Sequence, residues 1–231
     1  MKTERPSCLV RVWDLPTRLF HWALVALVIN AFVTARFGDI TLTWHQWNGY
    51  AILTLIVFRL IWGVIGSSTA RFVDFVKGPA AILAYLRDLM SGEGPRQYGH
   101  NPMGALMVLA LLGALAFQGT MGLFATDDIL VNGPLKHTVS AATSKLFTTF
   151  HKLGFWVIVV LAVVHVSAIL VYLLVKKENL IRPMISGFKP SLEAGKVPYP
   201  MLEPIWRAAV ALAAAALIVW GGVKGWPLIA G

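Results

Sequence analysis

The residues of this chain best suited to do chemistry are its six histidines: His21, His45, His100, His137, His151 and His165. Two of them lie in FHKLGFWVIVVLAVVHVSAILVYLLV, residues 150–175, a stretch that is otherwise almost wholly apolar. His151 and His165 are fourteen residues apart. At about 100° per residue, fourteen steps complete four helical turns less about 40°, so both rings leave nearly the same face. A rise of about 1.5 Å per residue separates them by about 21 Å along the axis. Two neutral imidazoles on one side of one apolar helix, at two depths, are two sets of nitrogen lone pairs offered to metal centres.

The elements that must position these rings are membrane spans. The chain is 57% hydrophobic and only 13% charged, where a soluble domain carries roughly a quarter charged residues. Apolar runs long enough to cross a hydrocarbon core of about 30 Å are expected at 19–35, 46–66, 103–125 and 150–175. A fifth, Ala-rich span is expected at 205–222, with Arg207 at one interface and Trp220 and Trp226 at the other. The triplet Val33-Thr34-Ala35 resembles a processing site, but the first span is read as retained. Two short interfacial helices are expected in loops, one in PAAILAYLRDLM and one in PLKHTVSAATSKLF. The single cysteine, Cys8, excludes an intramolecular disulfide and any cysteine-based cluster.

Basic residues alternate between loops. Lys2, Arg5, Arg11 and Arg18 precede the first span, Arg71, Lys77, Arg87 and Arg96 fill the second loop, and Lys176, Lys177, Arg182, Lys189 and Lys196 follow the fourth span. The intervening loops hold Arg36, Lys136 and Lys145. This bias places the N-terminus in the cytoplasm. It accounts for the net charge of +9 without nucleic acid, and a basic inner face suits anionic membrane lipid.

On that topology four histidines sort into two levels. His45 and His151 open the second and fourth spans at the outer level. His21 and His165 lie at the inner level. His100 and His137 fall in loops and pair with nothing. A bis-imidazole pair inside a bundle is what a b-type haem needs, so two stacked haems b are expected, with these four histidines as axial ligands of the iron. One histidine in a span is often only a hydrogen-bonded bundle residue, but four at two matched levels are not explained that way. Gly49 and Gly154, each about one turn after a ligand, are expected to leave room for a flat macrocycle, the plainer alternative being close helix packing. Arg59, fourteen residues after His45, falls near the inner level and is expected to meet a haem propionate. Arg18, one turn before His21, is a second candidate for that role, and both could instead be interface anchors. Lys152 could steer an anionic group at the outer level.

Taken together, VRVWDLPTRLFHW, WHQWNGY, YGHNPMGAL, GLFATDD and HKLGF with the later His-Val resemble the prokaryotic cytochrome b-561 family, which includes the b-type cytochrome subunits of membrane-bound nickel-iron hydrogenases. The resemblance covers about residues 10–188. It implies an all-α membrane protein with a four-helix bundle, two b haems on His21, His45, His151 and His165, and electron exchange with quinone or a partner redox protein. The chain is accordingly expected to divide into a diheme cytochrome b transmembrane domain, 1–188, and an extension, 189–231, with the fifth span. The leading expectation is a multi-pass inner-membrane cytochrome of a respiratory chain. It would pass electrons between the quinone/quinol pool and a partner such as a cytochrome c or a dehydrogenase. The alternatives are a membrane-anchor subunit of a nickel-iron hydrogenase or other dehydrogenase, a quinone-linked oxidase of a small reductant such as superoxide, and a haem-free transporter with structural histidines.

Overall fold

The computed structural model describes residues 8–38, 42–91, 99–191 and 200–229. Lys2, Arg5, Arg96, Lys196 and the side chains of Cys8 and Trp226 lie outside what is described. In chain order the elements are β1 (Cys8–Arg11), α1 (Leu15–Phe37), α2 (Thr43–Ile65), α3 (Phe72–Phe75), α4 (Pro79–Ser91), α5 (Pro102–Leu123), α6 (Ala141–Leu174), α7 (Ile181–Ser186), β2 (Phe188–Ser191) and α8 (Ile205–Ile229). Among the described residues five helices are long and apolar enough to cross a membrane: α1, α2, α5, α6 and α8. The expected all-α bundle with a fifth span is the observed architecture.

Capping residues set where these helices begin. The Asp14 carboxylate accepts from the Thr17 N–H and starts α1, with a proline in its first turn. The Asn101 amide oxygen accepts from the Gly104 N–H and starts α5. Ser140 does the same for α6 through the Thr143 N–H. The last cap corrects one expectation. PLKHTVSAATSKLF does not form a separate helix. Its first part makes a 3-10 turn at Lys136–Thr138, and from Ala141 onward it is the beginning of α6, 34 residues long. Residues 141–149 are too polar to register as lipid-spanning, yet nothing in them breaks a helix. PAAILAYLRDLM does form its own helix, α4.

The side carrying the N-terminus, here the N-side, is closed by a clasp. Strand β1 pairs antiparallel with β2, Cys8 opposite Ser191 and Arg11 opposite Phe188. Gly187, at φ 89°, turns the chain into β2, and its carbonyl accepts from the Val12 N–H at 2.8 Å. The expected boundary after residue 188 therefore falls within β2.

Helix α2 is the centre of the bundle and packs against α1, α5 and α8. Helix α8 meets it through a stripe of small residues, Ala208, Ala211, Ala215, Val219 and Val223, all buried. Small side chains let helix backbones approach closely in lipid, where no hydrophobic effect drives helices together. At the far end of this seam Trp47 and Tyr50 of α2 pack on Trp220, at ring-centre distances of 5.0 and 5.4 Å. Asn48 locks α1 to α2, because its amide accepts from Asn30 at 3.0 Å and donates to the Leu27 carbonyl at 2.8 Å. Helix α6 packs chiefly on α5. The histidines lie where α6 faces α1 and α2.

Candidate functional site

The four span histidines come together in the two expected pairs. His45 and His151 lie with ring centres 6.1 Å apart. His21 and His165 lie 6.5 Å apart. Two bonds of about 2 Å from a metal to imidazole nitrogens, plus about 1 Å from each nitrogen to its ring centre, put facing ring centres about 6 Å apart. Both pairs thus have the spacing of a bis-imidazole metal centre. Among the described residues no cluster of three or more His, Cys, Asp or Glu side chains could hold a metal ion.

The far pair, His45 with His151, is further prepared. The His45 Nδ1–H donates to the Ala31 carbonyl at 3.0 Å. The His151 Nδ1–H donates to the Gln118 carbonyl at 2.9 Å. A carbonyl can only accept, so each Nδ1 holds the proton and each Nε2 keeps its lone pair for a metal. A cleft of about 210 Å³ includes His45, Gly49, Tyr50, Gly122, His151 and Lys152 in its walls. The N-side pair differs, since His21 Nδ1 is buried and has no hydrogen-bond partner. A buried polar atom left over is uncommon in a folded protein and is one sign of a missing group.

The two glycines separate in role. A Cβ on Gly49 would meet no atom within 4 Å, so its helix face is open towards the cleft. A Cβ on Gly154 would stand 2.3 Å from Gln118 Oε1. The place beside Gly154 is filled by the end of the Gln118 side chain of α5, so its helix face is not open as that of Gly49 is. A glycine passed over in the sequence matters more to the far pair. A Cβ on Gly122 would come within 2.9 Å of His151 Cε1. The signal was GTMGL, where Gly119 and Gly122 leave two gaps on nearly one face of α5.

Arg59 is 2% exposed. Its guanidinium lies over Phe72 at 4.7 Å and Phe75 at 5.8 Å, and Nη1 is buried without a partner. The acid that acts on it is Asp14, but the carboxylate oxygens of Asp14 are engaged by the Thr17 N–H and by Trp62 Nε1–H, both at 2.9 Å. Arg18 donates from Nη1 to the Ile185 carbonyl in the clasp, while its Nε is buried without a partner. Both arginines therefore keep a buried donor free on the N-side of the bundle.

His100 lies in the loop before α5 and pairs with no other histidine, but its Nδ1 is buried. Its ring packs on Trp13 at 4.5 Å and stacks on Phe75 at 4.2 Å. Burial, and then the charge of Arg59, push its pKa down to about 3, so the ring is neutral. It thus belongs to the N-side floor with Trp13, Asp14, Arg59 and Trp62. His137 sits in the far loop, exposed and away from both pairs.

A bundle of apolar helices carrying imidazole pairs at two depths is the framework of a membrane cytochrome b. The chain belongs to the prokaryotic cytochrome b561 family, whose model matches residues 12–187. It is 25% identical to the "Probable Ni/Fe-hydrogenase B-type cytochrome subunit" of Azotobacter chroococcum, over 80% of this chain and 90% of that protein. The protein of the same description from Rhizobium leguminosarum is 23% identical, over 80% and 89%. That from Cupriavidus necator is 23% identical, over 77% and 86%. No solved structure matches the chain. The family's cofactor is b-type haem, and the pair spacing, the free Nε2 atoms and the unpartnered donors fit it.

Proposed function

We propose that this protein binds two haems b, one on His45 and His151 and one on His21 and His165. With them it carries electrons across the inner membrane between the quinone pool and a redox partner on the far side. The observation that carries this reading is the pair of imidazole pairs, at 6.1 and 6.5 Å, at two depths of one bundle. Bound haem supplies a one-electron couple at each depth. The chain's own residues do the rest. Ala31 and Gln118 fix the far rings through their carbonyls. Gly49 leaves an open helix face beside the far rings, and Gly122 gives the His151 ring its place. Arg59 and Arg18 offer buried guanidinium donors to the propionates of the N-side haem. The apolar helices exclude water and set the dielectric, and both tune potential.

The relatives' printed names point to the kind of partner: a nickel-iron hydrogenase, with this chain as its b-type cytochrome subunit. The bias of basic residues between loops supports an N-side in the cytoplasm. The test is a pyridine haemochrome assay on purified protein, expected to give two haems b per chain. One haem per chain would remove the stacked arrangement, and none would remove the cytochrome reading.

A further inference from the structure

The loop between α5 and α6 presents two large aliphatic side chains at its tip, Ile129 at 83% and Leu130 at 64% exposure. It is built to hold them there. The Asp127 Oδ1 accepts from the backbone N–H groups of Ile129, Leu130 and Val131, at 2.9, 2.9 and 2.8 Å. Asp128 adopts the left-handed conformation at φ 62° and pairs with Lys145 at 3.2 Å. Thr126 donates to the Asn132 side chain at 2.7 Å, and Gln46 of α2 donates to the Asn132 carbonyl at 3.1 Å.

Lipid is the first occupant to weigh, and height argues against it. Helix α6 has 34 residues, about 51 Å at 1.5 Å per residue, against a hydrocarbon core of about 30 Å. Its N-side end runs straight into Lys176 and Lys177, so the excess projects at the far end. The loop leans on that projecting part, since the Ser144 hydroxyl donates to the Phe124 carbonyl and the Thr126 N–H donates to Thr148 Oγ1. Lys145, which holds Asp128, stands about 9 Å beyond His151 along the axis. The charged groups beside the tip are Asp127, Asp128 and Lys145. Two aliphatic anchors with a charged rim, raised off the bilayer, have the make-up of a protein-protein contact. The position is continuous with the site, because Thr126, Asp127, Val131 and Gly133 form one wall of the cleft that reaches His45 and His151.

We propose that the loop Thr126–Gly133 is the docking knob for the redox partner on the far face. Ile129 and Leu130 seat in an apolar pocket of that protein, rimmed by a basic group facing Asp127. Seated there, the partner's electron-carrying centre lies over the mouth of the His45–His151 cleft. The inference rests on the electron-transfer reading above and deepens it by naming the contact.

The test uses the full chain with Cys8→Ala and a nitroxide on Leu130→Cys, in phosphatidylcholine–phosphatidylglycerol vesicles. The label should relax with a water-soluble nickel chelate rather than with dissolved oxygen. The opposite result makes the tip a lipid anchor and overturns the proposal. In native membranes, Ile129→Glu with Leu130→Glu should leave haem content and dithionite-reduced spectra unchanged. The detergent-extracted complex should fall to the size of the bare cytochrome. Two anchors at about tenfold each give roughly a hundredfold loss of affinity. The milder Ile129→Ser with Leu130→Ser guards against misfolding and should also weaken the complex. If either pair of substitutions yields spectrally intact protein in a complex of unchanged size, the knob is not the contact. Hydrogen-driven haem reduction in wild-type membranes is scored separately. Its absence there overturns the hydrogenase reading and leaves the size comparison to decide the docking.

Discussion

His45 and His151 each donate through Nδ1 to a carbonyl, whereas His21 Nδ1 has no partner. A hydrogen-bonded imidazole is the more basic ligand and favours the ferric state. The N-side pair has instead the buried charge of Arg59, which favours the ferrous state. Both effects act in one direction, so the N-side haem should have the higher midpoint potential. Arg59→Gln should lower that potential selectively. A charge at about 10 Å and an effective dielectric of about 20 is worth about 1–2 kcal/mol, which is some tens of millivolts for one electron. A redox titration resolving two components checks this, and an unmoved N-side component would remove Arg59 from the propionate role. The components are assigned by ligand deletion. His45→Ala or His151→Ala should remove only the far haem, and His21→Ala or His165→Ala only the N-side haem. Loss of the same component from both sets would break the pairing.

At the scale of elements, the far site depends on how closely α5 approaches α6. Gly122→Val would put a branched side chain where the His151 ring lies, since even a Cβ comes within 2.9 Å of it. The expected outcome is loss of the far haem with the N-side haem retained, read as a halved haem-to-protein ratio. The α1–α2 register rests on Asn48 instead. Asn48→Ala should weaken the bundle by about 1 kcal/mol, the usual worth of an interhelical hydrogen bond in lipid. Reversible unfolding in mixed micelles measures it. Because Ala31, whose carbonyl holds His45, is carried on α1, the far haem should also become easier to extract.

The whole molecule carries an acid-sensitive point in its N-side floor. His100 has its pKa lowered to about 3 in the folded state, against about 6.5 unfolded. Below pH 6.5 the unfolded chain binds a proton at this position that the folded chain refuses. Stability should therefore fall as pH drops from about 6.5 towards 3, and be unaffected by this group above 7. His100→Phe keeps a ring against Trp13 and Phe75 and removes the titration, so its midpoint temperature should decline less between pH 7 and 5 than that of the wild type. Equal declines would mean that another group dominates.

The spans, the two levels and the histidine pairs were legible in the sequence, because lipid imposes helices of fixed rise and fourteen residues return to the same face. It also pointed to Arg59, which the same arithmetic places at the N-side level. The tertiary structure decided what depends on contacts between distant segments. The carbonyls of Ala31 and Gln118 choose the tautomers of His45 and His151 from fourteen and thirty-three residues away. Trp62 reaches Asp14 across forty-eight residues, and His100 joins that floor from a loop whose local sequence gives no sign of it. In the sequence Gly154 reads as room for a macrocycle and Gly122 is passed over, and only the packing of α5 on α6 shows what each glycine meets. Helical periodicity fixes which way a side chain leaves its own helix. What it meets there is set by how the helices pack together, which no local pattern encodes.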